Sequence, residues 1–345
     1  MASPPPAGVY VPVPTFFVSR KAANYNPLAA PLDLATQAAH SIHLAKSGIK
    51  GLVVLGSTGE AIHLTNKERF EVLSHVRKEL ETAGFKDYPI IAGTAAQNIE
   101  EVVDQLKSAK EAGSQWGLCL VPGYFAGAST QDGIIQWFTA VADQSPIPIM
   151  VYDTLSLSLH IFCVLTACRY HYPGVSNNVK VVPSTFVTLS KHPNIVGCKL
   201  SHGDVSYHAQ IGANPNIDNT HFHTFTGLGQ QLLPVISLGC AGTIDGSAGF
   251  FPKSVVHLYN LSLKNSPTED EIKERRLLQY KVSSVEELVV RFGTVGIKEA
   301  VSRILDMGDR DGTRLPLSGG LPGGDKEWEN WKAVIGDLQA VENGL

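Results

Sequence analysis

The residue whose position points most directly to chemistry is Lys199. It closes the apolar run 194–198, which is typical of a buried strand. A lone amine at the end of such a strand can condense with a carbonyl to form a Schiff base, although most lysines beside strands simply extend their ammonium group into water. The attacking amine has to be neutral, and burial favours the neutral form because desolvation penalises the ammonium ion. Lys199 is therefore a candidate nucleophile.

A turn of small residues upstream could hold the acid group of a substrate. The strand-like run 51–55 leads into residues 56–60, with the sequence Gly-Ser-Thr-Gly-Glu, so the hydroxyls of Ser57 and Thr58 lie beside several backbone amides. Such donors can fix a carboxylate and orient the carbonyl next to it. The same sequence is also compatible with an ordinary βα loop, so the turn alone does not distinguish a carboxylate-binding site from a simple connection.

A regular alternation of strand-like and helix-like segments would position both candidates. Eight β-rich runs are predicted, at Val9 to Phe16, Gly51 to Leu55, Pro89 to Ala92, Gly117 to Val121, Pro146 to Tyr152, Ile195 to Leu200, Phe222 to Thr226 and Cys240 to Ile244. Helical patterns lie between most of them, at Leu34 to Ser47, Lys67 to Ala83, Ile99 to Ala112, Gln131 to Ala142 and Gln230 to Leu238. This order predicts an α/β fold, a (β/α)8 TIM barrel, whose chemistry lies where strand ends meet the βα loops. Both candidates lie at such ends.

The chain after the barrel is predicted to be a helical extension. The barrel spans residues 8–250, and 251–317 form helices that are interrupted near 265–267 and at Gly293. We expect these helices to pack on the side of the barrel or to build a subunit interface. Residues 318–345 comprise a Gly-rich linker and an amphipathic helix over 326–342, expected to dock on its own barrel or on a neighbour.

Composition favours small-molecule partners. The chain has 345 residues, 43% hydrophobic and 17% charged, with a formal net charge of −4, which gives no electrostatic case for binding nucleic acid or an anionic membrane. No apolar run reaches the ~18 residues of a membrane span, and the N-terminus lacks a signal-peptide pattern, so we expect a cytoplasmic protein. The scattered cysteines predict reduced core thiols and neither disulfides nor a zinc site: Cys119, Cys163, Cys168, Cys198 and Cys240.

Five motifs in chain order resemble the dihydrodipicolinate synthase / N-acetylneuraminate lyase family of class I, pyruvate-handling aldolases. They are residues 51–60, Pro-Gly-Tyr-Phe at 122–125, a Tyr-x-x-Pro-Gly element, Ile-Val-Gly-Cys-Lys at 195–199, and Gly-Cys-Ala-Gly-Thr-Ile at 239–244. The resemblance covers about residues 8 to 317. It implies a homodimer or a homotetramer.

The resemblance also implies roles for individual residues. Lys199 would form the imine with a 2-oxo acid, Ser57 and Thr58 would hold its carboxylate, Ile244 would line the pyruvate pocket, and Tyr124 would contribute to substrate binding. A tyrosine would shuttle protons. Because the iminium ion itself draws electrons from the adjacent C–C bond, no metal or other cofactor is expected.

Two tyrosines compete for that role. Tyr152 ends the fifth predicted strand, whereas the Tyr-x-x-Pro-Gly element begins 18 residues later at Tyr170. Either the intervening stretch is a genuine loop and Tyr152 is catalytic, or residues 152–169 are a retained intron. We prefer the second hypothesis, because the codons in and around residues 152–169 permit splice sites and removal of these residues would join Val151 to Tyr170 in frame. Tyr170 would then be the proton donor and acceptor. A translated insert would place an apolar stretch beside the site and impair activity and solubility.

Departures from the family pattern narrow the substrate. The synthase branch typically has an arginine after the tyrosine element and a second tyrosine supplied across a dimer interface, where this chain has Val175 and Phe125. Both losses weigh against dihydrodipicolinate synthesis, which stays the alternative. The preferred interpretation is an aldolase that releases pyruvate from a 2-keto-3-deoxy sugar acid or from 4-hydroxy-2-oxoglutarate. An alternative of another class is a non-catalytic barrel inactivated by the insertion.

Other polar residues near the strand ends receive weaker interpretations. His202 and Asp204 follow the lysine, but without further ligands in suitable spacing they do not predict a metal site, and His202 is expected to contact substrate or solvent. Glu60 is expected to be a structural acceptor for loop amides rather than a general base. Residues that could meet substrate hydroxyls, or else be ordinary turn residues, are Ser176, Asn177, Asn178, Ser201, His202 and Asp245.

Overall fold

Eight parallel strands close into a barrel. The computed structural model describes residues 1–154 and 176–345. The strands are β1 Gly8–Pro12, β2 Gly51–Val54, β3 Ile90–Thr94, β4 Trp116–Leu120, β5 Ile149–Thr154, β6 Ile195–Ser201, β7 His223–Thr226 and β8 Gly242–Ile244. Each pairs with the next, and β8 pairs with β1. The predicted TIM barrel is confirmed, and every predicted strand is present with shifted ends; the first, for example, ends at Pro12 rather than Phe16.

Helices follow most strands. They are α1 Leu34–Lys46, α2 Asn66–Thr82, α3 Ile99–Glu111, α4 Gln131–Gln144, α5 Pro183–Leu189, α6 Val205–Gly212, α7 Leu232–Ser237, α8 Pro252–Ser262, α9 Glu269–Leu305 and α10 Asp325–Gly344. Thr65 caps α2 in a capping box with Glu68, because its hydroxyl accepts from the Glu68 amide while the Glu68 carboxylate accepts from the Thr65 amide. The short helices α5 and α6 were not predicted, although Pro183 at the first position of α5 and Asp204 as the N-cap of α6 are recognisable start signals.

Side-chain alternation divides the core into two layers. On β2, Val53 belongs to a cluster inside the barrel, while Leu52 and Val54 belong to the layer between strands and helices. The interior cluster comprises Tyr10, Val53, Ile91, Leu118, Leu120, Met150, Tyr152, Val196, Phe225 and Ile244. A packed interior therefore leaves the upper ends of the strands as the place for a site.

The C-terminal helices pack against this chain's own barrel. Helix α9 contains the predicted interruption at Gly293, whose φ of 56° and ψ of −136° are accessible in practice to glycine alone. Helix α10 docks on α8 and α9. Its Glu342 carboxylate accepts from the backbone amides of Lys253 and Ser254 at 3.0 and 2.8 Å, so α10 supplies the N-terminal cap of α8.

Smaller predictions have mixed outcomes. Cys119, Cys198 and Cys240 are buried free thiols, as expected, while Cys163 and Cys168 lie outside the described residues. Leu321, within the predicted Gly-rich linker, is buried, and its amide donates to Glu299. In the described ranges, no helix has the length and apolar character needed to cross a membrane.

Candidate active site

A β-bulge turns Lys199 toward the inside of the barrel. Ile149 pairs with Ile195 and the next residue, Met150, pairs with Gly197, so β6 carries one extra residue at this point. Val196 belongs to the interior cluster, and strict alternation from it would point Lys199 outward. The extra residue reverses the phase, and the Lys199 amine instead lies 4.5 Å from the centre of the Tyr152 ring.

Tyr152 and Lys199 form the centre of a buried polar cluster. They are paired neighbours on β5 and β6, and their exposed fractions are 8% and 6%. The Tyr152 hydroxyl also makes hydrogen bonds with the side chains of Ser57 and Ser201. Burial by itself would raise the pKa of Tyr152, but the charge of Lys199 and the bonds from both serines bring that pKa below its ordinary value. The phenol is thereby prepared to give up and regain a proton.

The turn at 56–60 reaches this cluster through Ser57. Two non-glycine residues with left-handed backbone bound the turn: Leu55, directly before it, at φ 64°, and Glu60, its last residue, at φ 50°. It brings the Ser57 hydroxyl to Tyr152, while Thr58 is half-buried beside it. The three chemical groups predicted from distant parts of the sequence, an amine, a tyrosine and a hydroxyl-bearing turn, therefore meet at one end of the barrel.

Glu60 is a buried structural acceptor. Its carboxylate accepts from one loop amide, that of Arg314 at 3.2 Å, and it also binds the Lys298 ammonium and the His63 ring at 3.1 Å, which were not predicted. Burial raises the pKa of Glu60, but the bond from His63 and the charge of Lys298 outweigh it and leave the pKa below its usual range. Glu60 thereby joins the turn to α9 and to the loop that follows α9.

A cavity of about 240 Å³ adjoins the cluster. Ser57 and Tyr152 form part of its wall, and the buried Thr94 hydroxyl, which has no nitrogen or oxygen partner among the described residues, forms another part. Gln97 stands at its edge, with its side-chain carbonyl held by the amides of Gly123 and Tyr124. The space is sufficient for a small keto acid.

The remaining predicted site residues occupy different positions. Ile244 is fully buried in the interior cluster together with Tyr152. Tyr124 lies on the rim, 77% exposed, with its ring packed edge-on against Phe125. Tyr170 lies outside the described residues, as do Val175 and the Tyr-x-x-Pro-Gly element.

Asp153, next to Tyr152, is an unexpected feature of β5. Its side chain is completely buried, and this burial raises its pKa to about 7, against weaker opposing effects of Val181 and Lys180. A buried carboxyl at a strand end is unfavourable at neutral pH. Asp153 belongs to the stretch 152–169, the predicted insertion.

His202 does not face substrate or solvent as predicted. Only 2% of it is exposed, and its ring packs edge-on against the rings of Tyr207 and His208, since the chain turns inward to begin α6. Burial, followed by the charge of His208, lowers the pKa of His202 to about 4, so the ring is neutral at physiological pH. The described residues contain no cluster of three metal-ligating side chains.

Two residues that could have met substrate hydroxyls or been ordinary turn residues, Ser176 and Asp245, have structural partners. Ser176 is buried and donates to the Thr154 carbonyl at 2.7 Å. Asp245, directly after β8, is fully buried; it accepts from the Ser247 hydroxyl at 2.8 Å and lies beside Glu286 of α9. Burial, and then the charge of Asp245, raise the pKa of Glu286 well above its usual range.

Comparison with known proteins finds similarity to one protein family over most of the chain. The model of the dihydrodipicolinate synthetase family matches residues 31–167 and 164–319. A protein of Emericella nidulans named "Probable 4-hydroxy-2-oxoglutarate aldolase, mitochondrial" is 32% identical over 85% of this chain and 84% of its own length. The L-threo-3-deoxy-hexylosonate aldolase of Hypocrea jecorina is 29% identical over 86% of both chains. Among solved structures, a dihydrodipicolinate synthase family protein from Coccidioides immitis superimposes with a TM-score of 0.78 at 27% identity, covering 99% of each chain.

Proposed function

Because the chain belongs to the dihydrodipicolinate synthetase family, we propose that it is a class I aldolase, a lyase that releases pyruvate from a 2-keto-3-deoxy sugar acid or from 4-hydroxy-2-oxoglutarate. The observation that carries the proposal is the buried Lys199 amine against the Tyr152 ring, with Ser57 bonded to the same tyrosine. An amine, a proton carrier and a carboxylate-binding turn are the groups that this reaction requires.

Each group has a defined part in the reaction. The Lys199 amine, once deprotonated, adds to the C2 carbonyl, and the tyrosine gives its proton to the departing hydroxyl, so that loss of water leaves the iminium ion. The tyrosine takes the proton of the C4 hydroxyl, the C3–C4 bond breaks, and its electron pair moves into the iminium as the aldehyde leaves. The resulting enamine regains a proton at C3, and water hydrolyses it to pyruvate and free lysine. Throughout, Ser57, Thr58 and the turn amides hold the carboxylate.

The tyrosine in this proposal is the one at the end of β5. In the chain as it stands this is Tyr152, whose lowered pKa and contact with Lys199 support the assignment. In a chain without residues 152–169, Tyr170 would directly follow Val151 and take the same strand position. Either tyrosine would then meet the same lysine on β6.

Two relatives support the preferred substrates over dihydrodipicolinate synthesis. Their names are those of aldolases for 4-hydroxy-2-oxoglutarate and for a 3-deoxy-hexylosonate. The first would yield pyruvate and glyoxylate, and the second pyruvate and a neutral aldehyde. The exposed Phe125, at the place of the family's second tyrosine, supports the same choice, because it cannot donate or accept a proton.

Trapping of the imine tests the proposal. Pyruvate with borohydride should add the mass of a reduced pyruvate adduct at Lys199, and Lys199→Ala should abolish both labelling and turnover. Lys180→Ala is the matched control, since that amine lies over the Tyr207 ring outside the barrel. The experiment should include the 345-residue chain and a chain lacking 152–169. Absence of labelling in both, despite correct folding, would favour the non-catalytic barrel.

Assembly and location complete the proposal. A homodimer or homotetramer is supported by the exposed aromatic pair Tyr124 and Phe125 and by Ile62, which are 77%, 74% and 75% exposed on the rim. Light scattering measures the mass. The predicted cytoplasmic location stays a prediction: the name of the Emericella nidulans relative contains the word mitochondrial, and microscopy of the tagged chain distinguishes the two compartments.

A further inference from the structure

The turn at 56–60 is held by α9 from outside the barrel. The Thr294 hydroxyl donates to the Thr58 carbonyl at 2.6 Å, and the Lys298 ammonium binds the Glu60 carboxylate. Thr294 and Lys298 are four residues apart and therefore lie on one face of the helix. One helical face thus contacts both the middle and the end of the turn, across more than 230 residues of sequence.

The turn needs such support because its backbone is unfavourable. Leu55 and Glu60 both adopt positive φ angles without being glycines, a conformation that persists only where the surroundings enforce it. Inside the turn, the Glu60 amide donates to the Ser57 carbonyl at 3.1 Å. Thr15 supplies one further constraint, since its hydroxyl donates to the Gly59 carbonyl at 2.7 Å.

The break at Gly293 directs the second part of α9 toward the turn. Its backbone conformation is one that side chains exclude, and Thr294 follows immediately. Lys298 is buried and receives additional partners there, including the Gly312 carbonyl at 2.8 Å. The Glu60 and Lys298 charges compensate each other in a dry environment, where either alone would be strongly unfavourable.

We propose that Thr294 and Lys298 are positioning residues for the carboxylate-binding turn, and that the C-terminal helix α9 therefore sets the affinity of the site for 2-oxo acids. The inference rests on the proposed aldolase function. By fixing the Thr58–Gly59 peptide and the Glu60 side chain, α9 keeps the Ser57 and Thr58 donors in the geometry that a carboxylate requires. Catalytic contact stays with Lys199, the tyrosine and the turn itself.

Thr294→Val tests this directly, because valine keeps the shape of a half-buried side chain and removes the donor. The pyruvate concentration for half-maximal borohydride labelling of Lys199 should rise about three- to tenfold. Labelling by acetone, which has no carboxylate, should change less than twofold. In turnover, KM should rise while kcat stays near that of the unaltered chain, and Thr294→Ser should restore KM.

Controls separate this effect from a general loss of structure. Ser302→Ala removes another α9 hydroxyl bond, to the Gly308 carbonyl, away from the turn, and should leave pyruvate labelling unchanged. Lys298→Met can unfold the chain by leaving Glu60 unpaired, so it is combined with Glu60→Gln. This double variant should also weaken labelling by pyruvate more than labelling by acetone.

The outcomes distinguish this inference from the proposed function. Normal pyruvate labelling of the unaltered chain together with unchanged half-saturation in folded Thr294→Val overturns the role of α9 alone. Equal losses for pyruvate and acetone overturn it as well. No labelling of the chain by pyruvate, with or without residues 152–169, overturns both proposals.

Discussion

Replacing Asp153 by asparagine should stabilise the protein in a pH-dependent way. Burial raises the pKa of Asp153 from 3.8 to about 7. Between these two values the folded state retains a proton that the unfolded state has lost, so the free energy of unfolding falls as the pH rises through this window. The raised pKa therefore lowers the free energy of unfolding by about 4 kcal/mol at pH 8 and by about 1 kcal/mol at pH 4.5.

Asp153→Asn removes this ionisation but keeps a buried polar group. We therefore expect the free energy of unfolding to rise by about 2–4 kcal/mol at pH 8 and by less than about 1 kcal/mol at pH 4.5. Urea unfolding followed by tryptophan fluorescence measures both values. Asp104→Asn is the control, because this carboxylate is 68% exposed beside Lys107 and should matter little at either pH. An equal gain at both pH values, or no gain, would refute the reasoning.

Three other predictions concern the tyrosines, the insertion and the outer carboxylates. Deleting residues 152–169 should raise pyruvate-releasing activity and soluble yield. Tyr152→Phe should abolish turnover in the full chain, and Tyr170→Phe should abolish it only in the chain lacking 152–169. The opposite pattern would contradict the assignment of the catalytic tyrosine in each form. Glu286→Gln should raise the free energy of unfolding at pH 7, for the same reason as Asp153→Asn: burial raises the pKa of Glu286, which lowers the stability of the folded state above the pKa of the unfolded chain, and a loss of stability in urea unfolding would contradict this. Glu342→Ala should cost about 1–3 kcal/mol in the same assay through the lost cap of α8, while Glu329→Ala, on the exposed face of α10, should have little effect.

Local sequence patterns predicted most of the barrel. Apolar runs bounded by turn residues located the eight strands, and helical periodicity located the longer helices. The short helices α5 and α6 were missed because seven or eight residues show too little of the helical period to be recognised. The amine, the turn and the strand-end tyrosine were all identified as candidates before their distances were known.

Predictions about facing directions were less successful, since they depend on packing between distant segments. His202 was expected at a surface and is buried, because α6 begins immediately after it. Glu60 was expected to accept from loop amides, and its ion pair with Lys298 was not predicted. No pattern near residue 60 indicates a partner 238 residues away.

The sequence by itself determined the type of fold and the residues able to do chemistry, because periodicity, turn residues and side-chain type are local properties. The tertiary structure decided which of those residues meet. The clearest case is Lys199: alternation from Val196 would have placed its amine outside the barrel, and the bulge between β5 and β6 turns it inward to Tyr152. A bulge arises from how two strands pair, so it is a property of the assembled sheet rather than of either strand alone.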